Sequence, residues 1–133
     1  MLTRFLYNHT KFKTKQMKLK GKNFNMLIAD SFAKKAIGLM YRKKINADQG
    51  MLFNFPVERK WKIWMLNMKF PLDILWLDKN GIVIHIEKNL KPCSSMFSCP
   101  NYSPDADAKY VIEINAGICS KLGIKVGDRI DTN

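Results

Sequence analysis

GMLFNFPVERKWKIWMLNMKFPLDILWLDKNG, residues 50–81, holds Trp61, Trp64 and Trp76, a concentration of Met and Phe, and two prolines that cut it into strand-sized pieces. Met51 to Phe55 is a short apolar run stopped by Pro56. Trp61, Ile63 and Met65 alternate with Lys62, Trp64 and Leu66, which predicts a strand, and Pro71 breaks the chain so that Leu72 to Leu77 begins another. Asp78-Lys79-Asn80-Gly81 has hairpin-turn chemistry, because Asn and Gly accept positive φ, and Ile82 to Ile86 returns as the partner strand.

Working outward, Asn23 to Ala29 alternates loosely through Phe24, Met26 and Ile28 and predicts a first strand. Asp30 and Ser31 are N-cap residues for a short amphipathic helix, with Phe32, Ala36, Leu39 and Met40 on its apolar face and Arg42, Lys43 and Lys44 near its C-terminus. Downstream, Asn89 to Asp107 collects Pro92, Pro100 and Pro104 into a long loop, of the kind that often carries function. Lys109 to Ile114 alternates as a strand, Asn115 to Leu122 predicts a short helix stopped by Gly123, and Gly127-Asp128 marks a tight turn. Many short strands with hairpin connections predict a mainly β protein, a small antiparallel sandwich or barrel with two short helices.

The chain has 133 residues, enough for one core without metals or disulfides. No apolar run approaches the ~20 residues that span a bilayer. Of the net charge of +12, seven positive charges fall in residues 1–25, which contain no carboxylate. That segment lacks the apolar stretch and cleavage site of a signal peptide, so the expected location is cytoplasmic, with no membrane partner. Residues 1–16 read as a disordered basic arm and residues 17–133 as the globular domain, Met17 being an alternative start. Within or beside the arm, Arg4, Lys11, Lys13, Lys15 and Lys18, interleaved with aromatics, form a candidate nucleic-acid footprint; a solvated tail is the plainer reading.

GLMYR at 38–42, GMLF at 50–53, WMLNMKFPLD at 64–73 and AGICSKLGIKVGD at 116–128, in this order, resemble the domain-of-unknown-function family 192 of small bacterial and archaeal proteins. The resemblance spans roughly Met17 to Ile130. It implies a mostly β domain, often exported in bacterial members, with no established activity to carry over. The family's Trp-Met-Lys-Asn-Thr run stands here as Trp64-Met65-Leu66-Asn67-Met68, so a cation and a hydroxyl are replaced by apolar groups.

Candidate site residues follow from chemistry. Trp64 and Met65 beside Asn67 and Asp73 offer an apolar platform with an amide and a carboxylate, suited to a glycan, a small polar metabolite or a peptide; the plainer alternative is core packing and turn bonding. Arg42 is a candidate partner for Asp73 or Asp128. Glu113 shares a strand face with Val111 and is either a perturbed buried acid or an edge charge. Cys93, Cys99 and Cys119 read as reduced cysteines, a Cys93–Cys99 disulfide being expected only in a hyperthermophile, and C-x5-C fits no compact zinc site. No nucleotide loop, nucleophile motif, cofactor or metal site is expected. The leading expectation is a non-catalytic binding module for a small ligand or protein partner; the alternatives are a nucleic-acid-associated protein using the arm and a hydrolase using Asp73 or Glu113.

Overall fold

The structure is a computed structural model that describes residues 2–133, the side chains of Leu2, Thr3 and Leu6 aside; Met1, where the basic arm begins, lies outside the described residues. Six strands, β1 (Lys13–Leu19), β2 (Lys22–Ala29), β3 (Gln49–Arg59), β4 (Leu72–Leu77), β5 (Val83–Leu90) and β6 (Ala108–Asn115), form one sheet in the order β1-β2-β3-β6-β4-β5. Short helices α1 (Leu2–His9), α2 (Phe32–Ile37) and α3 (Ile118–Leu122) complete it. The mainly β expectation holds. The sheet is a single mixed one that does not close, with β1 and β5 at its edges. Its neighbouring strands are antiparallel except β2 and β3, which run parallel because α2 and residues 38–48 carry the chain back across one face.

Strand alternation sorts side chains onto two faces. Met51, Phe53, Ile74, Trp76 and Val111 point into one core; Leu52, Leu75, Leu77, Ile112 and Ile114 point into the other. Both faces are covered, so β4 is buried at every position. The arm contributes directly to the sheet: β1 pairs with β2 from Lys13↔Ile28 onward, and α1 leans on the loop after α2 through the Arg4 guanidinium, 4.7 Å from the Tyr41 ring centroid.

Three element expectations change. The helix after Ser31 ends at Ile37, because Gly38 takes φ 50° and ψ −130°, and Leu39 and Met40 are buried in the following turns instead of on a helix face. β3 runs on through Pro56 to Arg59; the register with β6 shifts between Asn54 and Arg59, so the missing proline N–H falls where the ladder is already interrupted. Trp61 to Leu66 is not a strand. It crosses the Phe53 face of the sheet and pairs with other backbone only at the isolated bridges Ile63↔Tyr102 and Leu66↔Cys93, and Asn67 at φ 59° turns it away. Its alternation is genuine, but its partners are residues of the long loop.

The turns read from sequence are as expected. Gly81 takes φ 79° and closes against the C-terminal segment, where the Ile130 N–H donates to the Gly81 carbonyl at 2.8 Å. A Cβ on Gly81 would lie 2.2 Å from the Ile130 carbonyl oxygen, whereas one on Gly127, at φ 99°, would meet nothing within 4 Å. Gly127→Ala should therefore cost only the left-handed backbone penalty, about 1–2 kcal/mol. Gly81→Ala should cost clearly more, since it adds a backbone collision, and equal denaturant midpoints for the two variants would contradict this packing.

Candidate functional site

The two buried acids of the sheet lie on opposite faces and have opposite environments. Asp73 pairs in register with Ile114, and its carboxylate is fully occupied: Oδ1 accepts from the Asn89 N–H at 2.9 Å, and Oδ2 from the N–H groups of Gly117 at 3.1 Å and Cys119 at 3.0 Å. It ties β4 to β5 and to the start of α3. Nearby, burial and then the adjacent Asp73 push the Cys119 thiol up to about 12, which keeps it protonated and unreactive.

Glu113 pairs with Met51 of β3 and Ile74 of β4, and its side chain lines a cavity of about 270 Å³ on the Phe53 face. It is 5% exposed, its carboxyl oxygens open onto the cavity, and no hydrogen bond or ion pair joins them to any described residue. Burial alone pushes its pKa from the ordinary 4.5 up to about 8. The cavity sits between two pieces of chain that the sheet itself does not include. Lys35, Gly38, Leu39 and Met40 form one wall, at the end of α2 and in the turns after it. Trp64, Leu66 and Met68 of the crossing segment form the other. Gly38 is needed here, because a Cβ would press to 3.2 Å from the Phe53 ring behind it.

The sequence candidates are thus divided. Trp64 and Glu113 meet at the cavity, Trp64 half-buried on its wall. Met65 is core, 1% exposed. Asn67 turns the chain and donates to the Tyr41 hydroxyl at 3.0 Å. Arg42 reaches neither Asp73 nor Asp128; its guanidinium lies over the Phe12 ring. Asp128 closes a turn, accepting from the Lys125 N–H at 2.8 Å and pairing with Lys20 at 3.2 Å. The long loop supplies no cavity residue; it braces the back of the crossing segment, where the Asn67 N–H donates to the Cys93 carbonyl and the Cys93 N–H to that of Met65. Cys93 and Cys99 are joined in a disulfide, Cα atoms 5.6 Å apart, contrary to the expectation of reduced thiols, and Cys119 is free. The spacing that excluded a zinc knuckle is short enough for a loop clip.

Lys35, Phe53, Leu39 and Met40 were not singled out as site residues, although GLMYR had marked part of this wall. Leu66 and Met68 are the two departures from the family run, and both face the cavity. In this chain the cavity therefore holds an acid and has apolar side chains where the family run carries a cation and a hydroxyl.

The family model described as an uncharacterized ACR, DUF192, matches residues 14–132, and the chain belongs to that family. A UPF0127 protein of Pyrococcus furiosus is 32% identical over 118 residues, covering 86% of this chain and 93% of the relative. A second, from Pyrococcus abyssi, is 32% identical over 120 residues and covers 89% and 92%. Among solved structures, a Sinorhizobium meliloti protein described as a candidate transcription regulator superposes with a TM-score of 0.82 at 29% identity, covering 92% of this chain and 96% of that one. A Novosphingobium aromaticivorans protein of unknown function gives 0.79 at 28% identity, covering 90% and 84%. No helix among the described residues is long and apolar enough to cross a membrane.

Glu113 makes stability depend on pH. Between pH 4.5 and about 8 the folded protein holds a proton that the unfolded chain has released, so rising pH favours unfolding across that window and the effect levels off above it. Stability should fall by about 1.4 kcal/mol per pH unit through the middle of the window. Glu113→Gln should remove this slope, and so should Leu66→Lys, which places an ammonium in the same cavity. Denaturant titrations at several pH values read it directly, and parallel pH profiles for wild type and Glu113→Gln would show that the acid is not buried unpaired.

Proposed function

We propose that the protein is a non-catalytic binding domain whose small polar ligand occupies the cavity above Glu113. The carboxyl is the observation that supports this most. A buried acid with no partner lowers stability, and an apolar residue would pack the same position at less cost. A polar group held at the base of an apolar cavity is what a binding site requires, few polar atoms fixing orientation and apolar walls supplying contact. The cavity's size favours a small metabolite, or one terminal sugar or residue of a longer glycan or peptide. Paired-carboxylate hydrolysis gains no support, because Asp73 and Glu113 face opposite sides of the sheet and no second acid among the described residues lines the cavity.

A nucleic-acid role is the second reading, and the description of the Sinorhizobium structure favours it. Lys13, Lys15 and Lys18 lie on edge strand β1, with Lys11 just before it. Edge lysines also discourage strand addition by other chains, which is reason enough for them to be there. Arg4, though exposed, lies over tyrosine rings, and Lys15 donates to the Thr132 carbonyl at 2.8 Å, while Lys11, Lys13 and Lys18 are exposed. Both readings keep the cytoplasmic location inferred from sequence, and the Cys93–Cys99 bond then requires a cytoplasm that preserves disulfides, as in hyperthermophiles.

A thermal-shift screen of the full chain against sugars, small metabolites, short peptides and oligonucleotides separates the two. A cavity ligand should raise Tm in wild type and have no such effect in Trp64→Ala and Glu113→Gln, while unliganded Glu113→Gln melts no lower than wild type at neutral pH. A shift that survives both substitutions would move the site elsewhere. Oligonucleotide binding should weaken on replacing Lys11, Lys13 and Lys18 with Gln, its log–log salt slope falling by up to about 0.9 for each phosphate no longer neutralised.

A further inference from the structure

Resting on the cavity reading above, we propose that the ligand's recognised group is an ammonium, carried on a compact apolar body, that ion-pairs with Glu113 while the body lies against Trp64 and the Met and Leu side chains of the walls. What the Glu113 carboxyl lacks is a cation. Its strand neighbours are Met51 and Ile74, neither of them polar, and the other charged residues lining the cavity are Lys35 and Lys62. Lys35 directs its ammonium over the Phe55 ring, 5.1 Å from the centroid, and its own pKa is lowered chiefly by burial, with no contribution from Glu113. Lys62 is exposed, and burial alone accounts for the state of Glu113. Neither lysine therefore compensates the acid, and Leu66, which stands where the family run carries its cation, has no charge.

A cation brought by the ligand supplies the missing partner. In a low-dielectric cavity an ion pair with hydrogen-bonding geometry offsets the desolvation that an isolated carboxylate cannot bear. The Trp64 ring on the wall adds the negative face of an aromatic for an ammonium and its neighbouring methylenes. An anionic ligand could take only the single hydrogen bond of the protonated carboxyl and is repelled once the acid ionises, and a neutral one brings no charge to pair with it. On binding, protonated Glu113 and R–NH₃⁺ become the carboxylate–ammonium pair, and the carboxyl proton passes to the buffer.

That proton is the signature. Benzylamine, with benzoate, benzamide and benzyl alcohol as matched probes of the same ring, would be titrated calorimetrically at millimolar concentration into the full chain, in phosphate and in Tris. Benzylamine should bind with release of close to one proton at about pH 7, the release fading as pH passes the point where Glu113 ionises by itself. Glu113→Gln should weaken benzylamine at least tenfold, and Leu66→Lys, which puts the chain's own ammonium in the cavity, should do the same without unfolding the protein. Benzylamine binding with no proton release, or with full strength in Glu113→Gln, overturns the inference. Benzoate, benzamide or benzyl alcohol binding in its place, sensitive to Trp64→Ala, overturns the ammonium assignment and leaves the cavity reading standing. Silence from every probe counts against both.

Discussion

Asp73 is the interaction on which the rest of the fold depends. Its two oxygens collect backbone N–H groups from Asn89, at the far end of β5, and from Gly117 and Cys119 at the start of α3. The Cys119 N–H is buried, and leaving it unsatisfied would cost about 1–3 kcal/mol, while the other two bonds are part-buried. One charged side chain thus sets the return of β5, the exit of β6 and the position of α3, which seals the Leu75 and Ile112 face. The Pro-Leu-Asp sequence that begins β4 is a structural device. The aromatic and methionine residues before it are only partly so.

Glu113, set beside Asp73, shows how the same chemistry yields a scaffold on one face and a candidate site on the other. Both acids are buried, and both project from the central strands. Asp73 is anchored because the N-terminal turn of α3 and the end of β5 supply donors. Glu113 faces a region where the covering chain is irregular and offers only apolar walls and two lysines whose ammonium groups are engaged or exposed elsewhere. A hydrophobic residue would satisfy that face better, so packing alone does not account for an acid at this position.

Sequence patterning identified the strands around Leu72–Leu77, the hairpin at Asp78–Gly81, the β6 strand and the glycine stop at Gly123, because each depends on local rules of alternation and positive φ. It misread Trp61–Leu66, because alternation reports which side chains are buried and not what the backbone bonds to. That segment buries Met65 and Leu66 as a strand would, yet it lies across the sheet, and long-range pairing with Tyr102 and Cys93 decides this. The parallel pairing of β2 with β3 was equally invisible, since it depends on where the chain after α2 re-enters. Of the site, Glu113 and Trp64 were legible individually, one as an acid at an apolar position and the other as an apolar platform. Their meeting was not, because they are brought together only when the irregular segment folds over β6.

This geometry also accounts for where the disulfide lies. Residues 91–107 contribute nothing to the cavity directly, yet their backbone holds the crossing segment through Cys93 and Tyr102. Closing Cys93 to Cys99 restricts the loop at the residue that grips Met65 and Asn67. The covalent clip is therefore remote from the acid and still braces the crossing segment that carries Trp64 and Leu66.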